Sequence, residues 1–122
     1  MSDKVLIFGG TTEGRELAAA LTRAGISHVV SVATGYGKEI ENSFGEENVI
    51  VGRKNADEMA EFITSEEFSV CVDATHPFAT LVSEEIKKAC DKTGISYLRL
   101  LRDTGAKADL SAFPKVPLLH TL

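Results

Sequence analysis

The sequence predicts an open α/β sheet of about five parallel strands arranged in three layers with helices. Short β-favouring runs alternate with segments of helical period through residues 5–101, and glycines end several of these segments. The first run is continuously apolar, which is typical of a strand covered on both faces. Strands that alternate with helices of this length favour parallel pairing through right-handed crossovers.

The first strand and helix are predicted within residues 5–25. Residues 5–8 form the continuous run, and glycines follow it at once. From residue 13 the apolar side chains recur at i, i+3, i+4 and i+7, namely at Leu17, Ala20, Leu21 and Ala24. This spacing predicts one helical face, and Gly25 stands where such a helix ends.

The same unit then recurs along the chain. Further strands are predicted at residues 28–33, 49–51, 68–72 and 95–101, with helices at about 56–65 and from about residue 81 to near residue 94. The interval 35–47 has weak periodicity, so both a short helix and a bare loop fit it. Residues 103–122 contain Pro114 and Pro117 and no trusted period, which predicts a linker or the truncated start of a second domain.

Composition limits the functions that fit. A chain of 122 residues and 13.1 kDa suits one domain, and its net charge of -5 argues against a nucleic-acid surface. The apolar start is too short for a signal peptide or a membrane span, so we expect a cytoplasmic protein. Cys71 and Cys90 lack CxxC spacing and are expected as buried reduced thiols, and no histidine stands at metal-ligand spacing.

The glycine-rich turn after the first strand, in the stretch VLIFGGTTEG, is a candidate phosphate site. Gly9 and Gly14 match the first and last glycines of the dinucleotide fingerprint, while Thr11 replaces the middle one. The hydroxyls of Thr11 and Thr12 are candidate phosphate donors. A tight turn that only packs helix on strand is the alternative. No Lys-Ser or Lys-Thr ending follows, so a Walker-type loop is excluded.

The end of the second strand bears on which dinucleotide fits. An NAD site normally has an acid there for the ribose hydroxyl, but this chain has no acid before Glu39. The stretch favours NADP, with an ordinary glycine loop and a solvated lysine as the alternative; its candidate residues are Thr34, Gly35, Tyr36 and Lys38. Arg53 and Lys54 are further candidates, although a solvated helix start is favoured for them.

The stretch DATHPFA follows the fourth strand, where open α/β sheets bind ligands. Thr75 and His76 offer polar groups, Pro77 stiffens the backbone and Phe78 offers an apolar wall. Alternatively, Asp73 or Thr75 caps the next helix and His76 points into solvent.

Taken together, the stretches VLIFGGTTEGRELA, SVATGYG, VDATHPFA and GISYLRLLR resemble the precorrin-6A (precorrin-6x) reductases of cobalamin biosynthesis. The resemblance covers about residues 4–102. It implies a Rossmann-like NADP-binding domain over residues 1–102 and reduction, by NADPH, of one double bond of a corrin-ring precursor. That precursor is precorrin-6A or its cobalt form, between which the sequence does not choose.

The resemblance also implies a role for each candidate residue. The pyrophosphate would be lined by Gly9, Gly10, Thr11, Thr12 and Glu13. Thr34 to Lys38 would face the adenosine phosphate, and Thr75 to Phe78 the nicotinamide. Arg99 and Arg102 would face the acidic tetrapyrrole, and His76 is a candidate proton donor.

The chain departs from the family in length, because members look about twice as long and carry a second α/β domain. That domain is expected to be missing here or supplied by another chain. A non-catalytic NADP(H)-binding sensor or interaction module therefore stays open beside the reductase. A phosphoacceptor receiver domain is disfavoured, since no acids cluster after the first strand.

Overall fold

The computed structural model describes residues 3–101. Within them the strands are β1 (Lys4–Phe8), β2 (Ser27–Val32), β3 (Val49–Val51), β4 (Val70–Asp73) and β5 (Ser96–Arg99). The helices are α1 (Thr12–Ala24), α2 (Gly35–Ser43), α3 (Ala56–Ser65) and α4 (Thr80–Thr93). Arg102 and the predicted linker at 103–122 lie outside the described residues.

All strand pairs are parallel, and the sheet order is β3-β2-β1-β4-β5. In the centre, Ile7 of β1 lies opposite Val30 of β2 and Val72 of β4. The predicted three-layer, Rossmann-like parallel sheet is thus confirmed. Because β2 and β3 extend the sheet to one side and β4 and β5 to the other, the topological switch point lies between β1 and β4.

The side chains of β1 alternate between two cores. Val5 and Ile7 pack in one cluster with Leu17 and Leu21 of α1. Leu6 and Phe8 pack in the other, and their neighbours there include Met59, Ile63 and Ile86 of α3 and α4. The sheet therefore has α1 on one face and α3 with α4 on the other, which explains the continuous apolar run of the first strand.

Three predicted segments differ from the observed elements by more than one residue. The interval 35–47, for which both a helix and a loop were predicted, contains helix α2. Thr34 caps this helix by accepting a hydrogen bond from the Gly37 N–H at 3.1 Å. Strand β4 begins at Val70 and not at residue 68, because the Phe68 N–H donates to the Ile63 carbonyl and closes α3. Strand β5 is shorter than predicted at both ends.

Cys71 of β4 and Cys90 of α4 are free and buried, as expected. Contact with Cys90 and burial both raise the pKa of the Cys71 thiol. The protonated form is therefore favoured, and Cys71 is an unreactive core residue.

Candidate functional site

The loops after β1 and β4 are joined by one side chain at the switch point. Thr11 is the N-cap of α1, and its Oγ1 accepts a hydrogen bond from the Gly14 N–H at 3.2 Å. The same hydroxyl donates its proton to the Ala74 carbonyl. In this arrangement Thr11 therefore offers a ligand its backbone N–H, while its hydroxyl holds the two loops together.

Two glycines of the first loop have different structural requirements. Gly10 has a φ of +98°, a backbone conformation that favours glycine, and open space lies where a Cβ would stand. A Cβ on Gly14 would lie only 3.2 Å from the Ala74 Cβ. Gly14 thus permits close packing of α1 on the β4 loop, which is the role of the last glycine in the dinucleotide fingerprint.

The start of α1 offers unpaired backbone donors. Among residues 3–101 the N–H groups of Gly10, Thr11 and Thr12 have no hydrogen-bond acceptor. They lie at the positive end of the helix dipole, which favours an anion there. Glu13 lies in the same first turn, where its carboxylate stabilises the helix end. Beside a pyrophosphate that charge would be repulsive, so only its backbone suits such a ligand.

The β4 loop is built around Asp73, whose side chain is fully buried. Its Oδ1 accepts from the N–H and hydroxyl of Thr75 at 3.1 and 2.6 Å, and its Oδ2 accepts from the Tyr97 hydroxyl at 2.7 Å. Burial by itself raises the pKa of Asp73, but hydrogen bonds from Ser83, Thr75 and Tyr97 outweigh it and lower the pKa below 3.8. The alternative in which Asp73 or Thr75 caps the next helix is wrong, because the N-cap of α4 is Ala79 and no side chain caps this helix.

Arg99 completes this network from β5. Its Nη1 lies 3.0 Å from Asp73 Oδ1 and also donates to the carbonyls of Asp73 and Thr75, each at 2.9 Å. Nη2 donates to the His76 carbonyl at 3.4 Å. The guanidinium therefore holds the β4 loop in place through its carbonyl groups. That Arg99 faces the substrate stays a prediction. Neither Asp73 nor Tyr97 was selected from the sequence, where an acid at the end of a buried strand was the available signal.

His76, Pro77 and Phe78 form an exposed turn before α4, with Phe78 85% exposed. The two aromatic rings lie with their centroids 5.2 Å apart. The Phe78 N–H donates to His76 Nδ1 at 3.2 Å, so the neutral imidazole carries its proton on Nε2.

A cavity of about 350 Å³ opens beside the carboxyl ends of β1, β2 and β3. Its wall is mainly apolar, with cations at one side; it is lined by Phe8, Ser31, Val32, Ala33, Gly52, Arg53, Lys54, Asn55, Met59, Leu81, Val82 and Glu85. Glu85 provides the one carboxylate among these lining residues, and its Oε1 accepts a hydrogen bond from the Ala56 N–H at 3.0 Å. Arg53 and Lys54, for which the sequence favoured a solvated helix start, thus line this cavity.

The residues predicted after β2 lie at the start of α2, outside this cavity wall. Gly35, Tyr36 and Lys38 are exposed there, and the Thr34 hydroxyl accepts the capping bond from Gly37. The structure therefore brings together the residues of the β1 and β4 loops, while the α2 start forms a neighbouring, separate part of the same sheet edge.

The described part of the chain offers neither a metal site nor a membrane-spanning helix. Residues 3–101 contain no group of three or more His, Cys, Asp or Glu side chains that could hold a metal ion. His28 is buried and pairs instead with Glu46, its Nε2 lying 2.6 Å from Oε1. None of the described helices is long and apolar enough to cross a membrane.

Comparison with known families assigns this chain. The family model described as precorrin-6x reductase CbiJ/CobK matches residues 4–117. The chain belongs to the precorrin-6x reductase family. A relative from this family, the cobalt-precorrin-6A reductase of Salmonella typhimurium LT2, is 32% identical over 98 residues, covering 80% of this chain and 37% of its own length.

Further relatives give the same result. The precorrin-6A reductase of a Sinorhizobium species is 35% identical over 104 residues, or 81% of this chain and 38% of the relative. The cobalt-precorrin-6A reductase of Priestia megaterium is 33% identical over 102 residues, or 84% and 40%. The chain thus spans about two fifths of the length of these relatives.

Solved structures agree on the fold. A CobK precorrin-6A reductase structure matches with a TM-score of 0.70 and 28% identity, over 91% of this chain and 46% of that one. A UDP-D-quinovosamine 4-dehydrogenase from Vibrio fischeri matches with a TM-score of 0.57 over 97% of this chain and 89% of that one. At 16% identity this second likeness shows the fold alone.

Proposed function

We propose that this precorrin-6x reductase family chain binds NADPH and forms the cofactor-binding part of an enzyme that reduces one double bond of precorrin-6A or its cobalt form. The observation that carries the proposal is the start of α1, where free N–H groups open at the switch point beside the β4 loop. In open α/β sheets dinucleotides bind across this crevice. The relatives named above supply the reaction class.

The residues present fit the parts of such a cofactor. The N–H groups of Gly10, Thr11 and Thr12 suit the pyrophosphate. The apolar cavity of about 350 Å³ suits the adenosine end. The turn with Thr75, Pro77 and Phe78, across the switch point, suits the nicotinamide end.

The preference for NADPH over NADH rests on charge. The residues after β2 include no acid before Glu39, so no carboxylate opposes a phosphate on the adenosine ribose. Lys38 on α2, with Arg53 and Lys54 at the cavity, adds positive charge at the same edge. An acid in place of these residues would have favoured NADH.

When bound, NADPH supplies the hydride, so the protein itself must mainly orient reactants and exclude water. Asp73 and Arg99 hold the turn that carries the exposed Phe78 wall. We propose that this wall faces the macrocycle, with Arg102 toward its acidic groups. The second wall would come from a segment equivalent to the remaining length of the relatives, in this or another chain.

A non-catalytic NADP(H)-binding module is the second candidate. Its basis is that the unpaired N–H groups at the start of α1 suit NADP(H) binding and do not by themselves provide for reduction of a macrocycle. In this function the same crevice binds NADP(H), and no macrocycle is reduced.

Calorimetric titration of the chain with NADPH and NADH tests the proposal. We expect NADPH to bind at least tenfold more tightly, about 1.4 kcal/mol. Absence of binding by both dinucleotides would refute the cofactor site, and equal affinities would refute the NADPH preference. NADPH oxidation in the presence of cobalt-precorrin-6A then separates the two functions, because the non-catalytic module binds NADPH without oxidising it.

A further inference from the structure

Arg15 of α1 and Glu41 of α2 form an ion pair between the two helices. The Arg15 Nη1 lies 3.6 Å from Glu41 Oε2, and the two side chains are 22% and 1% exposed. Neither residue is among the site residues predicted from the sequence.

Burial of the Glu41 carboxylate is energetically unfavourable at this position. Its Oε1 is buried and has no hydrogen-bond partner among residues 3–101. Burial raises the pKa of Glu41, and the charge of Arg15 and its hydrogen bond oppose that effect. A buried carboxylate with one oxygen unsatisfied contributes little net stability, so a purely structural role explains it poorly.

The partner guanidinium is held on three sides. Nη2 of Arg15 donates to the Thr12 hydroxyl at 3.2 Å, and Cζ lies 5.0 Å from the centroid of the Phe44 ring. Glu41 provides the third contact. A guanidinium has five N–H donors, and within the described part of the chain Arg15 directs its Nη1 to Glu41 and its Nη2 to the Thr12 hydroxyl. Arg15 therefore keeps donors free while its position is fixed.

That position is next to the site already described. Thr12 is the first residue of α1, and its N–H is one of the unpaired donors. On α2, Lys38 precedes Glu41 by three residues and so lies on the same helix face, one turn nearer the α2 start. In dinucleotide-binding sheets of this kind, the pyrophosphate lies at the start of the first helix and the ribose 2′ oxygen is bound by residues after the second strand, which here is the start of α2.

We propose that Arg15 binds the 2′-phosphate of NADPH, and that Glu41 is the positioning residue that holds its guanidinium there. The inference rests on the proposed NADPH function. Its chemistry is that of a planar guanidinium, which forms paired hydrogen bonds with a phosphate as a lysine does not. The Phe44 ring packs against the guanidinium, which limits its movement.

The test compares NADPH and NADH affinities of Arg15→Ala, Arg15→Lys, Glu41→Ala and Glu41→Gln. Arg23→Ala is the matched control, since Arg23 lies in the last turn of α1 and is exposed. For Arg15→Ala we expect NADPH binding to weaken about tenfold or more, with NADH changed less than about twofold. Arg15→Lys should lose part of the preference. Glu41→Ala should weaken NADPH alone, and Glu41→Gln should restore it because an amide oxygen still faces Arg15.

A structural role predicts a different pattern, in which both affinities fall together. Equal losses for the two dinucleotides, or an unchanged NADPH preference in Arg15→Ala, would overturn the inference and leave the proposed function standing. Failure of the unmodified chain to bind NADPH would overturn both. If Arg15→Ala does not fold, as judged by circular dichroism, Arg15→Lys keeps the charge against Glu41 and decides by the same ratio of affinities.

Discussion

Asp73 shows how a single buried residue shapes the candidate site. Its carboxylate accepts hydrogen bonds from Thr75, Tyr97 and Arg99, which belong to its own loop and to the adjacent strand. Burial also raises the pKa of Tyr97, as does its bond to Asp73, so the phenol stays a donor. The charge of Asp73 is therefore matched in the folded state, and the loop has one arrangement that satisfies it.

Replacement of Asp73 by Asn should lower the free energy of unfolding by about 3 kcal/mol near neutral pH, because Arg99 and two hydroxyls lose a charged acceptor. The folded pKa of Asp73 lies below its ordinary value of 3.8, so its stabilisation is present above that pH and is lost as the pH falls through the folded pKa. Urea unfolding at several pH values should show that the difference in free energy of unfolding between the unmodified chain and Asp73→Asn becomes smaller as the pH falls below 3.8.

Tyr97→Phe is the control for this experiment, since it removes one donor and leaves the charge. We expect it to cost about 1.5 kcal/mol, roughly half the effect of the Asp73 variant. If the difference in free energy of unfolding between the unmodified chain and Asp73→Asn stays constant from neutral pH to well below 3.8, the lowered pKa of Asp73 is contradicted.

His76 has two separable properties, an acceptor for the Phe78 N–H and a titratable ring. Asn at this position keeps an acceptor that bonds two residues onward, whereas Ala keeps neither property. We expect His76→Asn to retain NADPH affinity and His76→Ala to weaken it about fivefold, the value of one hydrogen bond. Calorimetric titration measures both variants.

The same pair tests the predicted proton donor. If His76 supplies the proton, NADPH-dependent reduction is lost in His76→Asn although binding is kept. Retained reduction in His76→Asn would instead assign proton delivery to water or to another group.

At the scale of elements, helix starts form the sheet edge where the ligand is proposed to bind. Thr11 caps α1, Thr34 caps α2, and Asn55 caps α3 through a capping box with Glu58. Helix α4 has no side-chain cap because its N-cap residue is Ala79, which has no polar side chain. The cap of α1 is distinctive in that its hydroxyl also bonds to the β4 loop.

Thr11→Ala should therefore cost more than the loss of an ordinary cap. We expect about 2 kcal/mol in the free energy of unfolding, compared with about 1 kcal/mol for Thr34→Ala, and weaker NADPH binding. Thr11→Ser keeps the hydroxyl and should stay close to the unmodified chain in both measurements. Chemical unfolding and titration of the three variants check this, and equal effects of Thr11→Ala and Thr34→Ala would show that the Ala74 bond contributes nothing.

At the scale of the whole molecule, the sheet order brings together two loops that are far apart in sequence. The loops after β1 and β4 meet because these strands are neighbours, with Phe8 opposite Asp73. A dinucleotide bound across them contacts both halves of the sheet. Binding should therefore stabilise the folded chain as a unit.

Thermal unfolding should show this stabilisation. At a free NADPH concentration about one hundred times its dissociation constant, the folded state should gain about 2.7 kcal/mol. NADH at the same concentration should give a smaller rise in Tm, and adenosine alone smaller still. A rise in Tm that is equal for NADPH and NADH would contradict the proposed charge preference.

Much of the fold follows from the sequence alone. The periodicity predicted β3 and α3 within the observed bounds and placed the other strands within a few residues, because strand runs and helical faces are local patterns. The glycine turn was predicted as a candidate site because its backbone requirements are also local. Helix α2 was left open, since its stability depends on the Thr34 cap and on close packing of Gly37 against Val32.

Only the tertiary structure decided which side chains meet. Asp73 and Arg99 are 26 residues apart and pair because β4 lies beside β5, and Arg15 meets Glu41 because α1 and α2 cover the same face of the sheet. These contacts depend on strand order and crossover hand, which no local pattern carries. The sequence thus determined the elements and the first loop, and the packing of the sheet determined the partners that shape the site, because pairing energy depends on distance in space and not along the chain.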